Sequence, residues 1–259
     1  GGQLSYRYVA PLADRGVPLQ GIKWMGKADS PLNMRLQMSF QQWRWLLQFL
    51  RACNSQSNKI NGDHILRLSL LSRQVMQSWL DEDNLADFHW RRSGKLIIHR
   101  REYDFHKAAK GMNPQYQHAL SAEACLQLEP ALKHISHSLQ GGIYSPGDET
   151  ADCHKFCLAL LDKLNASSNF SLLTHCEVLK LNKRDGRISS LETSRGTITG
   201  DDYVVAAGNG SGPLLGHLGV RVPLCALKGY SLTLPYPKEA GIAPDISVTD
   251  YGHKIVYAR

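Results

Sequence analysis

The sequence predicts a mixed α/β fold, because helical and strand patterns follow one another along its 259 residues. Apolar residues recur at three- and four-residue steps over residues 32–53 and 58–80, which is the period of an amphipathic helix. Short apolar runs on either side of Asp185-Gly186 are typical of a β-hairpin. The run at residues 203–207 is apolar and β-branched and leads into glycines, which predicts a buried strand followed by a tight turn.

Composition indicates a globular protein, since 42% of the residues are hydrophobic and only 20% are charged. The net charge of +7 is compatible with an anionic partner, but the basic residues are dispersed, which argues against a nucleic-acid-binding arm. We find no apolar run of the roughly 18 residues that a membrane span needs and no secretory signal. These observations predict a cytoplasmic protein, for which reduced cysteines are the default.

The six cysteines do not predict a metal site. Cys153 and Cys157 have helical spacing and His154 lies between them, which is the one arrangement that suggests metal ligands. No second ligand pair follows at the spacing of a zinc site. We therefore expect no bound metal.

The first half of the chain is predicted to be mainly helical. A loop-like opening over residues 1–19 is followed by the helix at residues 32–53, which contains Trp43-Arg44-Trp45. This helix has two interpretations, an interfacial helix on an anionic membrane or, preferred here, a core helix of a substrate domain. The elements predicted next are a helix at 58–80, a hairpin with strands at 88–90 and 95–98, helices at 102–110 and from Ser121, and a glycine-interrupted strand at 139–144.

The loop at residues 145–152 carries three carboxylates, Asp148, Glu149 and Asp152. One interpretation is a catalytic acid/base cluster. The preferred one is a turn in which Asp152 caps a helix at residues 153–165. The strands predicted beyond it lie at residues 170–173, 176–181, 188–193, 197–199, 203–207, 226–234 and 254–258.

Several motifs also carry a family resemblance, and they follow one another along nearly the whole chain. They are Gly2-Gln3 with Gly16-Val17-Pro18-Leu19 and Ile22-Lys23-Trp24-Met25, then Leu139-Gln140-Gly141-Gly142, Asp148-Glu149-Thr150-Ala151-Asp152-Cys153, and Leu227-Lys228-Gly229-Tyr230-Ser231. Each motif is weak alone, but the ordered series is specific. Together they resemble the bacterial D-amino-acid dehydrogenase small-subunit family, within the D-amino-acid oxidase-like group of FAD-dependent oxidoreductases.

The resemblance implies a Rossmann-like FAD-binding domain, incomplete here, interleaved with a mixed-sheet substrate domain. Residues 1–25 and 146–222 would belong to the FAD domain, and residues 26–145 and 223–259 to the substrate domain. The family's opening Gly-x-Gly-x-x-Gly motif, which holds the pyrophosphate at a helix N-terminus, does not occur in this sequence. Its C-terminal glycine-rich segment is not found either. The sequence therefore resembles a central piece of such an enzyme, which we expect to bind FAD poorly or not at all by itself.

Individual residues take their expected roles from the same resemblance. Gly1, Gly2 and Gln3 match the loop beside the flavin ribityl chain and ring, and Val178 matches the strand whose backbone meets the adenine. Three small residues match the turn that packs on the cofactor, and three larger ones are expected near the substrate. The small residues are Ala206, Ala207 and Gly208, and the substrate residues are Lys228, Tyr230 and Tyr257.

The activity implied is oxidation of a D-amino acid by hydride transfer from Cα to flavin N5, with hydrolysis to a 2-oxo acid and ammonia. No residue is assigned as a catalytic acid or base, because the cofactor carries the difficult chemistry. A quinone or another acceptor would take the electrons, so peripheral contact with the inner face of the cell membrane is a further expectation. Two alternatives stay open: a related dehydrogenase of another amine or imino acid, or a truncated, non-catalytic protein that binds no flavin.

Overall fold

The computed structural model describes residues 2–24, 37–83, 85, 87–235 and 241–258. Its helices and mixed sheets confirm the predicted α/β class. The chain forms two compact units, each built from separate segments. Unit 1 contains Gly1–Arg35, Leu50–Ser168 and Thr233–Arg259, and unit 2 contains Leu36–Phe49 and Asn169–Leu232. The assignment of segments to a cofactor or a substrate domain stays a prediction.

Local sequence signals place most of the helices correctly, but the helix at Val17–Trp24 begins inside the opening that was predicted to be loop-like. Asn54 caps the long third helix by accepting a hydrogen bond from the Ser57 N–H, and Ser121 caps the fifth by accepting one from Ala124. The first predicted helix is found from Phe40, and its residues 32–36 lie outside the described part of the chain. The α-helices are α1 Val17–Trp24, α2 Phe40–Ala52, α3 Ser55–Glu82, α4 Glu102–Gly111, α5 Ala122–Leu128, α6 Cys153–Asn165 and α7 Ser211–Gly216, with 3-10 helices at Pro130–Ser138 and Gly208–Gly210.

The strands form three sheets among the described residues. In unit 1, five strands lie in the order β10-β9-β2-β4-β3, with only β2 and β9 parallel, and β1 pairs with β5. Unit 2 contains the antiparallel meander β6-β7-β8, whose first turn is the predicted Asp185-Gly186 hairpin. The strands are β1 Gly2–Leu4, β2 Lys95–His99, β3 His118–Ser121, β4 Gly141–Ser145, β5 Glu149–Ala151, β6 Val178–Arg184, β7 Arg187–Thr193, β8 Gly196–Ile198, β9 Ser247–Asp250 and β10 Ile255–Tyr257.

The core of unit 1 lies on one face of the five-stranded sheet. Leu96 and Ile98 of β2 and Val248 of β9 are fully buried there and pack against helical and loop residues, including Cys125 and Leu132. Burying each of these large side chains contributes about 1.5–3 kcal/mol. Because side chains alternate along a strand, Lys95, Ile97 and His99 lie on the opposite face. That second face is also buried, but it carries polar groups.

Four predicted strands are not formed, at residues 88–90, 170–173, 203–207 and 226–234. The 88–90 strand does not form a hairpin with β2, because β2 pairs instead with β4 and β9. The run at 203–207, predicted to be buried, leaves Val204 91% exposed, and Leu232 in the last run is 89% exposed. The runs at 203–207 and 226–234 have no ladder partner among the described residues, and without one an apolar sequence does not form a strand.

Candidate functional site

The first described strand places two of the expected cofactor residues in unit 1. In the antiparallel pair of β1 and β5, Gly2 lies opposite Ala151 and Gln3 opposite Thr150. A Cβ on Gly2 would lie 2.9 Å from the Ala151 carbonyl oxygen, so this close backbone approach requires glycine. The Gln3 side-chain amide donates a hydrogen bond to the Ser247 hydroxyl of β9. Gly1 lies outside the described residues.

Two carboxylates of the 145–152 loop hold the chain that follows β1. The Tyr6 backbone N–H donates to Asp148 Oδ1 at 3.1 Å, and the Tyr6 hydroxyl donates to Glu149 Oε2 at 3.0 Å. Trp90 Nε1 donates to the same Glu149 oxygen at 2.9 Å. Burial and the neighbouring Glu149 carboxylate raise the pKa of Tyr6 well above its usual value, so the hydroxyl remains a donor.

The third carboxylate of the loop has the predicted capping role. Asp152 Oδ1 accepts hydrogen bonds from the backbone N–H groups of His154 at 2.9 Å and Lys155 at 3.0 Å, at the start of α6. The predicted turn, at Pro146-Gly147, and the predicted cap are therefore confirmed, whereas residues 149–151 of the predicted loop form the strand β5. Asp148 keeps one unusual feature, since its Oδ2 is buried without a hydrogen-bond partner among the described residues, and burial raises its pKa.

The second face of the unit 1 sheet carries buried polar groups that the sequence analysis did not single out. Lys95 is 4% exposed and His99 is 3% exposed. In the described part of the chain, neither ring nitrogen of His99 has a hydrogen-bond partner, and the same is true of the buried Thr249 Oγ1. Burial lowers the pKa of His99, which favours the neutral imidazole, and its ring centroid lies 5.1 Å from that of Tyr251. The signal that could have revealed them is the sequence of β2, in which Lys95 and His99 lie at the two ends of an apolar strand.

The expected cofactor residues of unit 2 lie on exposed backbone. Glu177 exchanges hydrogen bonds with Ser194, so strand alternation directs the N–H and C=O of Val178 away from β7, towards an open edge of the described sheet. Ala206 and Ala207 are exposed, and Gly208 has a φ of +54°. A Cβ on Gly208 would meet nothing within 4 Å. Small side chains thus leave this turn open to close approach by a ligand.

The expected substrate residues lie in different units. Lys228 and Tyr230 belong to unit 2, where Tyr230 is 89% exposed and Lys228 Nζ lies 5.4 Å from its ring centroid. Tyr257 of unit 1 pairs with Val248, so it shares the face of the apolar core. Gln3 binds Ser247, on the opposite face. Lys228 and Tyr230 are thus neighbours along the chain of unit 2. In unit 1 the sheet places Tyr257 and Ser247, the partner of Gln3, on opposite faces.

Two negative findings apply to the described residues. None of their helices is both long enough and apolar enough to span a bilayer. They also contain no group of three or more His, Cys, Asp or Glu side chains arranged to hold a metal ion. All six cysteines are free thiols.

A buried ion-pair network at the end of β9 predicts acid-sensitive stability. Asp250, 1% exposed, accepts a hydrogen bond from Arg100 Nε at 2.7 Å and lies 3.0 Å from His253 Nδ1. Burial alone would raise the pKa of this carboxyl, but the bonds from Arg100 and His253 outweigh it and hold the pKa of Asp250 below its usual value. A lowered folded-state pKa stabilises the fold above the unfolded-state value, about pH 4, and this contribution is lost as the pH falls further.

We therefore expect Asp250→Asn to lower the free energy of unfolding by about 2 kcal/mol at pH 7 and to flatten its dependence on pH below about pH 4. Urea unfolding between pH 7 and pH 2 measures both effects. Asp185→Asn is the control, because that carboxylate is 93% exposed in a hairpin turn. Parallel pH profiles for Asp250→Asn and the wild type would contradict the assignment.

Comparison with known proteins places the chain in a family. Residues 33–259 match the DAO family, described as FAD dependent oxidoreductase. The chain belongs to this family. D-amino acid dehydrogenase 2 of Pseudomonas aeruginosa is 47% identical over 260 residues, which cover 100% of this chain and 62% of the relative. D-amino acid dehydrogenase of Paramagnetospirillum magneticum is 35% identical, again over 62% of its length. The chain thus spans less than two thirds of these DAO-family relatives.

Solved structures agree with the DAO-family fold. L-proline dehydrogenase from P. horikoshii aligns with 73% of this chain and 50% of its own, with a TM-score of 0.55 and 15% identity. Glycine oxidase from Geobacillus kaustophilus aligns with 60% of this chain and 43% of its own, with a TM-score of 0.50 and 23% identity. At such identities the likeness shows the fold alone. The family is FAD-dependent, so FAD is the cofactor to consider.

Proposed function

We propose that this protein takes part in the FAD-dependent oxidative deamination of D-amino acids to 2-oxo acids and ammonia. The observation that carries the proposal is the 47% identity to a D-amino acid dehydrogenase along the whole chain, together with membership of the DAO family. When bound, FAD supplies the acceptor for the hydride that leaves the substrate Cα. The chain's own residues would bind the cofactor, orient the amino acid and exclude water.

Three features of the described residues fit the cofactor. The outward-facing backbone of Val178 offers one donor and one acceptor to a purine edge. The open turn of Ala206, Ala207 and Gly208 has no side chain that would block a bulky group. In unit 1, Gly2 allows β1 to lie close to β5, and Gln3 carries an amide suited to polar groups of the flavin. We assign these residues to FAD, with Gly1 as their expected neighbour.

The test of the cofactor assignment is the visible absorption spectrum after incubation with FAD and gel filtration. It should be recorded for this 259-residue chain and for the complete product of its gene. We expect the complete product to retain red-shifted flavin bands and this chain alone to retain little or none. A colourless complete product would contradict the proposal and favour the alternative of a non-catalytic protein.

For the substrate we propose contacts from Lys228, Tyr230 and Tyr257, of which Tyr230 gives the clearest test. Its exposed ring adds little to folding, so Tyr230→Phe should change the free energy of unfolding by no more than about 0.5 kcal/mol. We expect KM or kcat for D-amino acids to change several-fold. Tyr103→Phe is the matched control, since Tyr103 is 75% exposed on α4. Unchanged kinetics with several D-amino acids would remove Tyr230 from the site.

The substrate class also needs a direct comparison, because members of one fold act on different amines. A panel of D-amino acids, glycine, sarcosine and D-hydroxyproline, assayed with a quinone analogue as acceptor, separates the possibilities. The proposal expects the highest kcat/KM with a D-amino acid. A higher value for glycine or for an imino acid would instead support the related amine dehydrogenase.

We also propose that the protein contacts the membrane surface, where a quinone would accept the electrons, and the surface of α2 supports this contact. Exposed apolar side chains at positions 40, 43, 47 and 50 recur with helical spacing, and Arg44 and Arg51 are exposed on the same helix. Such a helix suits the surface of an anionic bilayer. We expect the complete protein to co-sediment with anionic vesicles at low salt and Leu47→Gln to weaken this, whereas Leu68→Gln on α3 should not. No sedimentation at low salt would contradict the membrane proposal.

A further inference from the structure

Lys95 is a buried cation at an unusual place in the fold. It begins the central strand β2, and its side chain lies on the second face of the sheet, in a row with Ser145 and Ser247. The residue is 4% exposed. Its Nζ donates a hydrogen bond to Ser5 Oγ at 3.0 Å and lies 4.3 Å from the centroid of the Tyr8 ring. Lysine is almost never buried to this extent without a strong interaction to compensate for lost hydration.

The hydrogen bond and the ring contact of Lys95 both go to one segment, residues 3–8, which we call the strap, and the Asp148 carboxylate is a further charged neighbour. The strap is attached to the second face at neighbouring points, because Gln3 binds Ser247 and Ser247 lies beside Lys95 in the parallel pair of β9 and β2. The strap is also held by the contacts of Tyr6 with Asp148 and Glu149. Side chains of three strands thus hold the strap, namely Lys95 of β2, Ser247 of β9 and Glu149 of β5.

We propose that Lys95 is a positioning residue that fixes the strap on the sheet and thereby holds Gln3 in the place from which it contributes to the FAD site. This inference rests on the proposed function, since the role of Gln3 at FAD is part of that proposal. A charge-assisted hydrogen bond is roughly twice as strong as a neutral one and has a defined direction. The cation over the Tyr8 ring adds a second attachment three residues along the strap. The hydrogen bond to Ser5 and the contact with Tyr8 together restrict the strap to a single position relative to β2.

The test compares Lys95→Met, Lys95→Arg and Ser5→Ala in the complete protein, with Lys107→Met as control because Lys107 is exposed on α4. Hydrogen exchange at the backbone amides of residues 4–8 measures how firmly the strap is held on the sheet, and it needs no flavin. The dissociation constant for FAD and the visible flavin spectrum measure the effect on the cofactor. Losing a hydrogen bond to a charged group should raise both the exchange rate and the dissociation constant about tenfold.

We expect Lys95→Met to show both changes and a shifted flavin spectrum, Lys95→Arg to restore part of each, and Lys107→Met to match the wild type. If Lys95→Met does not fold, Ser5→Ala gives the same test, since it removes the acceptor and leaves the lysine. Unchanged exchange in the folded variants would overturn the proposal, as would faster exchange with an unchanged FAD affinity and spectrum. A wild type that binds no FAD would instead overturn the proposed function, while the exchange data still decide whether Lys95 anchors the strap.

Discussion

Glu129→Ala is expected to lower the free energy of unfolding of unit 1 by about 3 to 5 kcal/mol, because it leaves several buried donors without an acceptor. Glu129 is 3% exposed and caps the 3-10 helix that follows it, where its Oε1 accepts a hydrogen bond from the Ala131 N–H at 3.2 Å. Its Oε2 accepts from the N–H groups of Asp245 at 2.7 Å and Ile246 at 3.1 Å. One carboxylate thus joins a helix start to the chain that enters β9.

Urea unfolding followed by circular dichroism measures this change, and two further variants define its cause. Glu129→Gln keeps the size of the side chain but has only one acceptor oxygen, so an intermediate loss of about 1 to 3 kcal/mol is expected. Glu123→Ala is the control on the preceding helix, α5. That side chain is exposed, so the variant should unfold at nearly the same urea concentration as the wild type. Equal losses in Glu129→Ala and Glu123→Ala would show that the buried bonds contribute nothing.

The helices could be predicted from the sequence because their signals are local. Apolar periodicity located α2 and α3, and the predicted cap at Asp152 located α6. The short polar residues Asn54, Ser121 and Asp152 lie at helix starts, where their side chains bind the first N–H groups. The 185–186 hairpin was predicted for the same reason, since two residues determine the turn. Each of these signals acts within about one turn of the chain.

Sheet pairing could not be predicted in this way, because a strand depends on partners distant in sequence. β1 pairs with β5 across more than 140 residues, and β2 pairs with β9 across a similar distance. The runs at 203–207 and 226–234 had the apolar composition of strands but have no ladder partner in the part of the chain described here. Composition predicts that a run can pair, and topology decides whether it does.

The candidate site shows the same division. The resemblance assigned roles to Gln3, Val178 and the 206–208 turn, because residues that match a family motif are expected to have the same surroundings as in the family. The polar second face, with Lys95, His99 and Thr249, needed the register of β2 and β9, which three scattered polar residues do not reveal. Register also separates Tyr257 from Gln3, since a shift of one position along a strand moves a side chain to the other face.

Gly141→Ala is expected to lower the free energy of unfolding by about 3 kcal/mol or more, through overpacking and backbone strain together. Gly141 starts β4, which lies between β2 and β3 in the sheet, and has a φ of +155°. A Cβ there would lie 2.7 Å from the Leu120 carbonyl oxygen of the neighbouring strand and 2.7 Å from a ring carbon of Phe105. Since the carbonyl belongs to a paired backbone, it cannot move aside without breaking the ladder between β3 and β4.

Gly111→Ala is the matched control, because a Cβ at that helix end would meet nothing within 4 Å. It should be neutral or slightly stabilising, by about 0.5 kcal/mol, since alanine has less freedom to lose on folding. If Gly141→Ala unfolds at the same urea concentration as the wild type, the strand approach described here is wrong. If it is destabilised as expected, the glycines of the Leu139–Gly142 motif are needed for the packing of β4 against β3. The motif is then typical of the family because the fold requires it, and not because it binds a ligand.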